Sequence, residues 1–413
     1  MVSKLAVFAV SVWFLLGCGA ARRGGSVSVA DALAGDTTGY ARADRVRPFV
    51  FPEDHGPHEA FKTEWWYVTG NLRATDGSGR RFGVQFTVFR SALAPPARDS
   101  AGQAARTSAW ATTQLFMAHV AVGDVAAGRF YSQERFARGA AGLAGADPAR
   151  VFLGPVELAA TGAPDASGAV PLRIAGSAGG AAFALDARPL KPVVLQGDRG
   201  LSQKGAEAGN ASYYYAQTRM ATTGTVTLPG PGGAPGEAVP VEGLTWLDRE
   251  WSTSALAGGQ TGWDWFALHL DSPTGPGRDL MLYQLRGADG TKDPLSEGSL
   301  VDADGRKTRL AAADFSLEPL ATWTSPGRAA YPTRWRVRVP SEQIDVTVSA
   351  VIEASELDAT VRYWEGAVDV AGSASGTGFL EMTGYADAAA GRAARRSGTL
   401  SRTETGATPG AGG

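Results

Sequence analysis

Cysteine is nearly absent: Cys18 is the one thiol in 413 residues. No disulfide can staple the folded part, so its stability has to come from packed cores. Charge is also sparse. Lys and Arg number 39 against 41 Asp and Glu, for a formal net charge of −2, and charged residues make up only 19%. A chain so close to balance offers no basic face to a phosphate backbone, which excludes nucleic acid as an expected partner. Histidine is scarce too, with four in all. His55 and His58 sit with Asp54 in a Gly/Pro loop, without the further Cys or His that zinc sites carry, and no metal is expected. The sequence has no Gly-x-Ser-x-Gly elbow, no phosphate loop and no dinucleotide fingerprint. Serine-hydrolase and nucleotide-dependent chemistry therefore lack support.

Long apolar runs are missing as well, except at the start. Lys4 precedes an apolar stretch from Leu5 to Leu16, too short to span a bilayer comfortably and suited to a signal peptide. It ends in Leu15-Leu16-Gly17-Cys18, which is similar to the lipobox at which lipoproteins are cut and acylated. Residues 1–17 are therefore expected to be removed and Cys18 to carry lipid. Gly19 follows, with no Asp to signal inner-membrane retention, so the expected place is the envelope, on the outer membrane facing the periplasm. Residues 18–47 are rich in Gly, Ala, Ser and Arg and read as a flexible tether. Residues 388–413 read as a disordered tail.

What the sequence does have is glycine (54), tryptophan (11) and alternation. In Arg81 to Phe89, Phe82, Val84, Phe86 and Val88 fall on one face while Gln85 and Thr87 fall on the other, the period of a half-buried strand. Gln114–Val122, Tyr213–Met220, Gly243–Trp251, Trp263–Leu270 and Leu280–Arg286 also read as strands. Segments 91–108, 140–150 and 229–238 read as loops, and the last divides two similar blocks. The expectation is an all-β protein with domains at 48–235 and 236–387. Each block holds a Trp-led strand, a Gly-rich turn and a second strand, which would place Trp66 and Trp364 at related positions.

Several strings resemble one family. Phe51-Pro52-Glu53-Asp54-His55-Gly56-Pro57-His58 and Thr63-Glu64-Trp65-Trp66-Tyr67-Val68-Thr69-Gly70 look like the opening signature of the AttH-type proteins. Trp246-Leu247-Asp248-Arg249-Glu250-Trp251, Gly262-Trp263-Asp264-Trp265-Phe266 and Glu381-Met382-Thr383-Gly384-Tyr385 continue it. The resemblance runs in order from about 48 to 386. These proteins belong with the carotenoid 1,2-hydratases in a lipocalin-like superfamily that also holds pericyclases and proteins labelled secreted hydrolases. It implies two tandem lipocalin-like (calycin-like) β-barrels, with a ligand cavity in or between them. Activity does not follow from the fold.

Two functions are carried forward. The first is a lipid-anchored protein that binds a long apolar lipid or isoprenoid, with an ABC-type transporter as a possible partner. The second is an enzyme of the hydratase type, or a related hydrolase, working without a cofactor. Alkene hydration needs a strong proton donor, aromatic faces for a cation and one water. Strand parity sets Asp248 and Glu250 with Trp246 on one face, and Arg249 with Trp251 on the other. Asp264 shares the apolar face of Phe266, Leu268 and Leu270, where burial would raise its pKa. Asp248, Glu250, Asp264 and Trp251 are the catalytic candidates, although each carboxylate could equally pair an arginine. Trp65, Trp66, Tyr67, His119, Tyr214, Trp246, Arg249, Trp263 and Trp265 are the ligand-binding candidates. Hydratases of the resembled family carry His where this chain has Arg249. Carotenoid hydration is therefore not expected, and Arg249 is expected to pair Glu64 or Asp264.

Overall fold

The computed structural model describes residues 36–386, apart from 97–107, 109, 255, 273–274, 276 and 288. The expected signal peptide, Cys18 and the C-terminal tail lie outside the described residues. The first sheet begins with β1 (Thr63–Ala74), β2 (Arg81–Ala92), β3 (Gln114–Asp124) and β4 (Arg129–Arg138). Five short strands follow: β5 (Ala144–Asp147), β6 (Arg150–Leu153), β7 (Val156–Ala160), β8 (Leu172–Ala178) and β9 (Ala181–Pro189). The sheet is completed by β10 (Val194–Leu195), β11 (Leu201–Gln203), β12 (Ala211–Pro229) and β13 (Pro235–Ser252). The second sheet opens with β14 (Gln260–Leu270), β15 (Arg278–Gly287), β16 (Glu297–Val301), β17 (Lys307–Ala311) and β18 (Ser316–Thr324). It closes with β19 (Ala330–Val339), β20 (Ile344–Ala350), β21 (Glu356–Leu357), β22 (Tyr363–Gly372) and β23 (Gly376–Thr383).

The first sheet curls into a nearly closed barrel and the second into a half-barrel, the two tandem lipocalin-like barrels of an all-β chain. Alternation decides what each strand buries. Even-numbered residues of β1, β2 and β3 (Trp66, Val68, Phe82, Val84, Phe86, Phe116 and Val120 among them) fill the first barrel's interior. Phe266, Leu268 and Leu270 of β14 likewise fill the second, against Trp335, Val346 and Leu380. Both barrel interiors are occupied by the protein's own side chains.

The strand order repeats. The first sheet reads β4-β3-β2-β1-β13-β12-β9-β8-β7, and the second β17-β16-β15-β14-β23-β22-β20-β19-β18. Hence β14 takes the place of β1, and β22–β23 that of β12–β13. Trp66 on β1 and Trp364 on β22 therefore do not hold related positions, contrary to the sequence reading. The matching pair is Trp65, opposite Glu250, and Trp265, opposite Glu381.

Two boundaries also differ. The Gly/Pro stretch at 229–238 turns a hairpin, with Gly232 at a φ of 67°. The strand after it, β13, pairs with both β1 and β12. The chain changes sheet between Ser252 and Gln260, not at 235. The expected tether is docked over its last part: Ala43 is fully buried and bridges Gly209, and the Ala41 carbonyl accepts from Thr253. Phe49, Phe51 and Phe61 then cover Tyr213, Tyr215 and Trp251 at one end of the first barrel.

Candidate active site

The outer faces of the matching strands meet, β1–β13–β12 from one barrel against β14–β23–β22 from the other. Between them lies a cavity of about 180 Å³. Odd positions of β1 and β14 reach it, bringing Trp65, Tyr67, Trp263 and Trp265 to its wall. Even positions of β13 contribute Asp248 and Glu250, and Phe89, Met117, His119, Tyr214 and Tyr283 complete most of the lining. The rings interlock: Tyr67 meets Trp265 edge-on at 5.2 Å, and Trp246 meets Trp265 at 6.5 Å. Such a wall is apolar, yet its ring faces carry the negative charge density that steadies a cation.

Carboxyl groups enter this apolar space from both barrels. On the β13 wall, Asp248 accepts from Tyr214 Oη and from Trp246 Nε1, each at 2.8 Å. Burial outweighs those bonds and, with Glu250 nearby, raises its pKa to about 8. Asp248 is thus a neutral acid at pH 7. Glu250 lies 3.6 Å from the Lys204 ammonium, which sits 4.0 Å over the Tyr283 ring.

On the β22–β23 wall, Glu365 and Glu381 stand directly opposite each other across the strand pair. Glu381 faces the cavity and accepts from Trp263 Nε1 at 2.9 Å. Glu365 lies behind it and accepts from the Tyr67 hydroxyl, which also lies near Glu381. Burial raises both carboxyls, Glu365 the further because Glu381 also repels its charge. Two carboxyls so placed do not both ionise near neutral pH, so the pair keeps at least one proton between them.

The structure separates the sequence candidates. Asp248, Glu250, Trp65, Tyr67, His119, Tyr214, Trp263 and Trp265 line this one cavity, and Trp246 stands behind Asp248. Asp264 does not. It points into the second barrel, where Arg286 Nε lies 3.0 Å away and Tyr385 donates at 3.0 Å. Trp66, Arg249 and Trp251 likewise face the first barrel's interior. Arg249 is fully buried, 3.8 Å above the Trp66 ring, and pairs with Glu64, which also holds Arg90. Asp264 is therefore not its partner. Trp251 stacks on His58 at 3.7 Å. The apolar row that drew attention to Asp264 belongs to a barrel core. Sequence reasoning missed Glu365, Glu381, Tyr363 and Lys204. The available signal was a lone acid inside an apolar run, Phe379-Leu380-Glu381-Met382. Among the described residues no three His, Cys, Asp or Glu side chains converge to hold a metal.

A family model for AttH-like proteins matches residues 42–385, nearly the whole of the described chain. The chain is a member of the AttH-like family. A solved AttH candidate from Nitrosomonas europaea is 33% identical, with a TM-score of 0.69 over 82% of this chain and 97% of its own. Kievitone hydratase from Nectria haematococca shares the fold at 16% identity and a TM-score of 0.59, covering 84% of this chain and 98% of its own. The comparison with curated proteins found no match. The inter-barrel cavity thus belongs to an AttH-like scaffold, and the acids described above are what this member places in it.

Proposed function

We propose that this AttH-like protein is an acid–base enzyme that adds water to, or removes it from, an apolar unsaturated substrate held between its barrels. One observation carries the reading: carboxyls in opposite protonation roles enter one aromatic-walled cavity from opposite barrels. Asp248, neutral at pH 7, gives its proton to an alkene carbon. The Trp65, Trp263 and Trp265 rings steady the cation that forms. The Glu365–Glu381 pair, when it holds one proton of two, takes a proton from the incoming water as its oxygen bonds to the cation. Elimination runs the same steps backwards. The kievitone hydratase that shares this fold is by name a hydratase, the reaction class these groups serve.

The test is incubation of purified protein with farnesol or geranylgeraniol in water labelled with oxygen-18, followed by mass spectrometry. The expected product carries one labelled hydroxyl, and Asp248→Asn and Glu381→Gln each lower its rate by about 10²–10⁴-fold. Binding of both probes, seen as tryptophan quenching, with no label incorporated would overturn the enzyme and leave a carrier of apolar ligands.

A further inference from the structure

Each hydration on this scheme leaves Asp248 ionised and the Glu365–Glu381 pair with an extra proton. Glu381 lines the cavity, while Glu365 is fully buried behind it. A proton must leave the pair before the next turnover, and the question is by which route.

From Glu365 a line of hydrogen-bonding groups runs to the surface. The Tyr363 hydroxyl lies beside the Glu365 carboxyl, whose Oε2 has no hydrogen-bond partner. Tyr363 Oη is 2.7 Å from His119 Nδ1. His119, itself fully buried, places Nε2 2.9 Å from Glu134 Oε1. Glu134 is 18% exposed and is held from its outer side by the Thr360 hydroxyl at 2.8 Å. Burial works against ionisation of Glu134, but its bonds from His119 and Thr360 outweigh that and keep it below the ordinary carboxylate range. An ionised Glu134 fixes the tautomer of His119: Nε2 carries the hydrogen and Nδ1 accepts. Tyr363 then donates to His119, and its oxygen is free to accept from Glu365. Every donor in the line points outward.

We propose that Glu365, Tyr363, His119 and Glu134 form a proton-release path from the inter-barrel cavity to solvent, entered from Glu381 through Tyr67. The inference rests on the acid–base reading above. Glu365 O–H transfers to Tyr363, Tyr363 O–H to His119 Nδ1, His119 Nε2–H to Glu134, and Glu134 to water. Glu381 then passes its proton to the Tyr67 oxygen while Tyr67 passes its own to the emptied Glu365. One bond breaks and one forms at each atom, so one proton leaves with no other change. His119 and Tyr363 also line the cavity; in this path they are positioning residues that relay the proton from Glu365 to Glu134.

The path can be tested without a substrate. Infrared spectroscopy resolves the carbonyl band of a protonated buried carboxyl, which shifts when deuterium replaces its hydrogen. After rapid mixing of the purified protein with heavy water, the wild-type band shifts quickly. His119→Phe and Tyr363→Phe slow that shift at least tenfold, while the band's size and the melting temperature show that the acid pair and the fold persist. Glu134→Gln slows it too. Unchanged exchange in folded His119→Phe and Tyr363→Phe would overturn the path and leave the hydration assay untouched. Should either variant fail to fold, Glu134→Gln at the rim decides alone.

Discussion

Asp248 illustrates what burial does to a single residue. An aspartate that is ionised in the unfolded chain above pH 4 keeps its proton in the folded protein up to about pH 8. Between those values the native state binds one proton more than the unfolded state. The group's contribution is therefore complete below about pH 4 and is lost as pH rises toward 8. Asp248→Asn keeps the hydrogen-bonding shape without a charge to lose. Its melting temperature is expected to fall less than the wild type's between pH 5 and 8, by several degrees. Parallel slopes in scanning calorimetry would show that Asp248 is already ionised at pH 5. Arg249 is the contrasting residue. Its charge is satisfied by Glu64, by the Gly56 carbonyl at 2.5 Å and by the Trp66 face, and none of these groups reaches the cavity. A histidine placed there would enter the first barrel's core, so Arg249→His offers no route to a new acid in the site.

At the scale of strands, alternation was legible and its meaning was not. The six strand segments read from the sequence all lie within observed strands, and the parity of β13 and β14 was right. Parity says which residues share a face, but it does not say which face meets a partner. Taking the apolar row of β14 as the cavity wall put Asp264 in the wrong place. The mixed row of Trp263 and Trp265 is the one that faces the other barrel. Glu365 and Glu381 were passed over for another reason: the strand–turn–strand was read, but not the register that sets the two acids opposite each other. The contact between β2 and β22 is close enough to test. A Cβ on Gly83 would stand 2.9 Å from the Ala367 Cβ, so Gly83→Ala is expected to cost about 1–3 kcal/mol by overpacking. Adding Ala367→Gly should recover most of that loss, as read by denaturant unfolding. No recovery in the double variant would mean that the strands do not meet there.

Across the whole molecule the barrels are joined by more than the cavity walls. Asp279 on β15 is fully buried, 2.8 Å from Lys191 and 2.7 Å from Arg219, both from the first barrel's part of the chain. Thr218 donates at 2.9 Å to the same oxygen that Lys191 approaches. Removing the acid leaves two cations without a counter-charge at the interface. Asp279→Ala is therefore expected to cost roughly 3–5 kcal/mol. The wild type should melt in one calorimetric transition, and the variant should melt earlier, with the two barrels separating into two. A variant that melts like the wild type would show that the aromatic contacts alone hold the barrels together. The tandem barrels themselves were legible through the family strings. The resemblance left the cavity in or between the barrels, and only the structure shows both solid inside with the cavity between them.

That solidity divides the sequence by arithmetic. On β13 the even numbers 246, 248 and 250 face the cavity side, while 247, 249 and 251 face the first barrel's interior. On β14 the assignment reverses: 263 and 265 look out to the cavity, and 264, 266 and 268 look inward. Neighbouring codons thus answer to different demands, one for the packing of a barrel core and the next for the shape of the cavity. A lineage could rewrite its substrate range through every second position of a few strands while leaving the foldable alphabet of the other positions untouched. One scaffold of this kind can carry many chemistries without first becoming less stable.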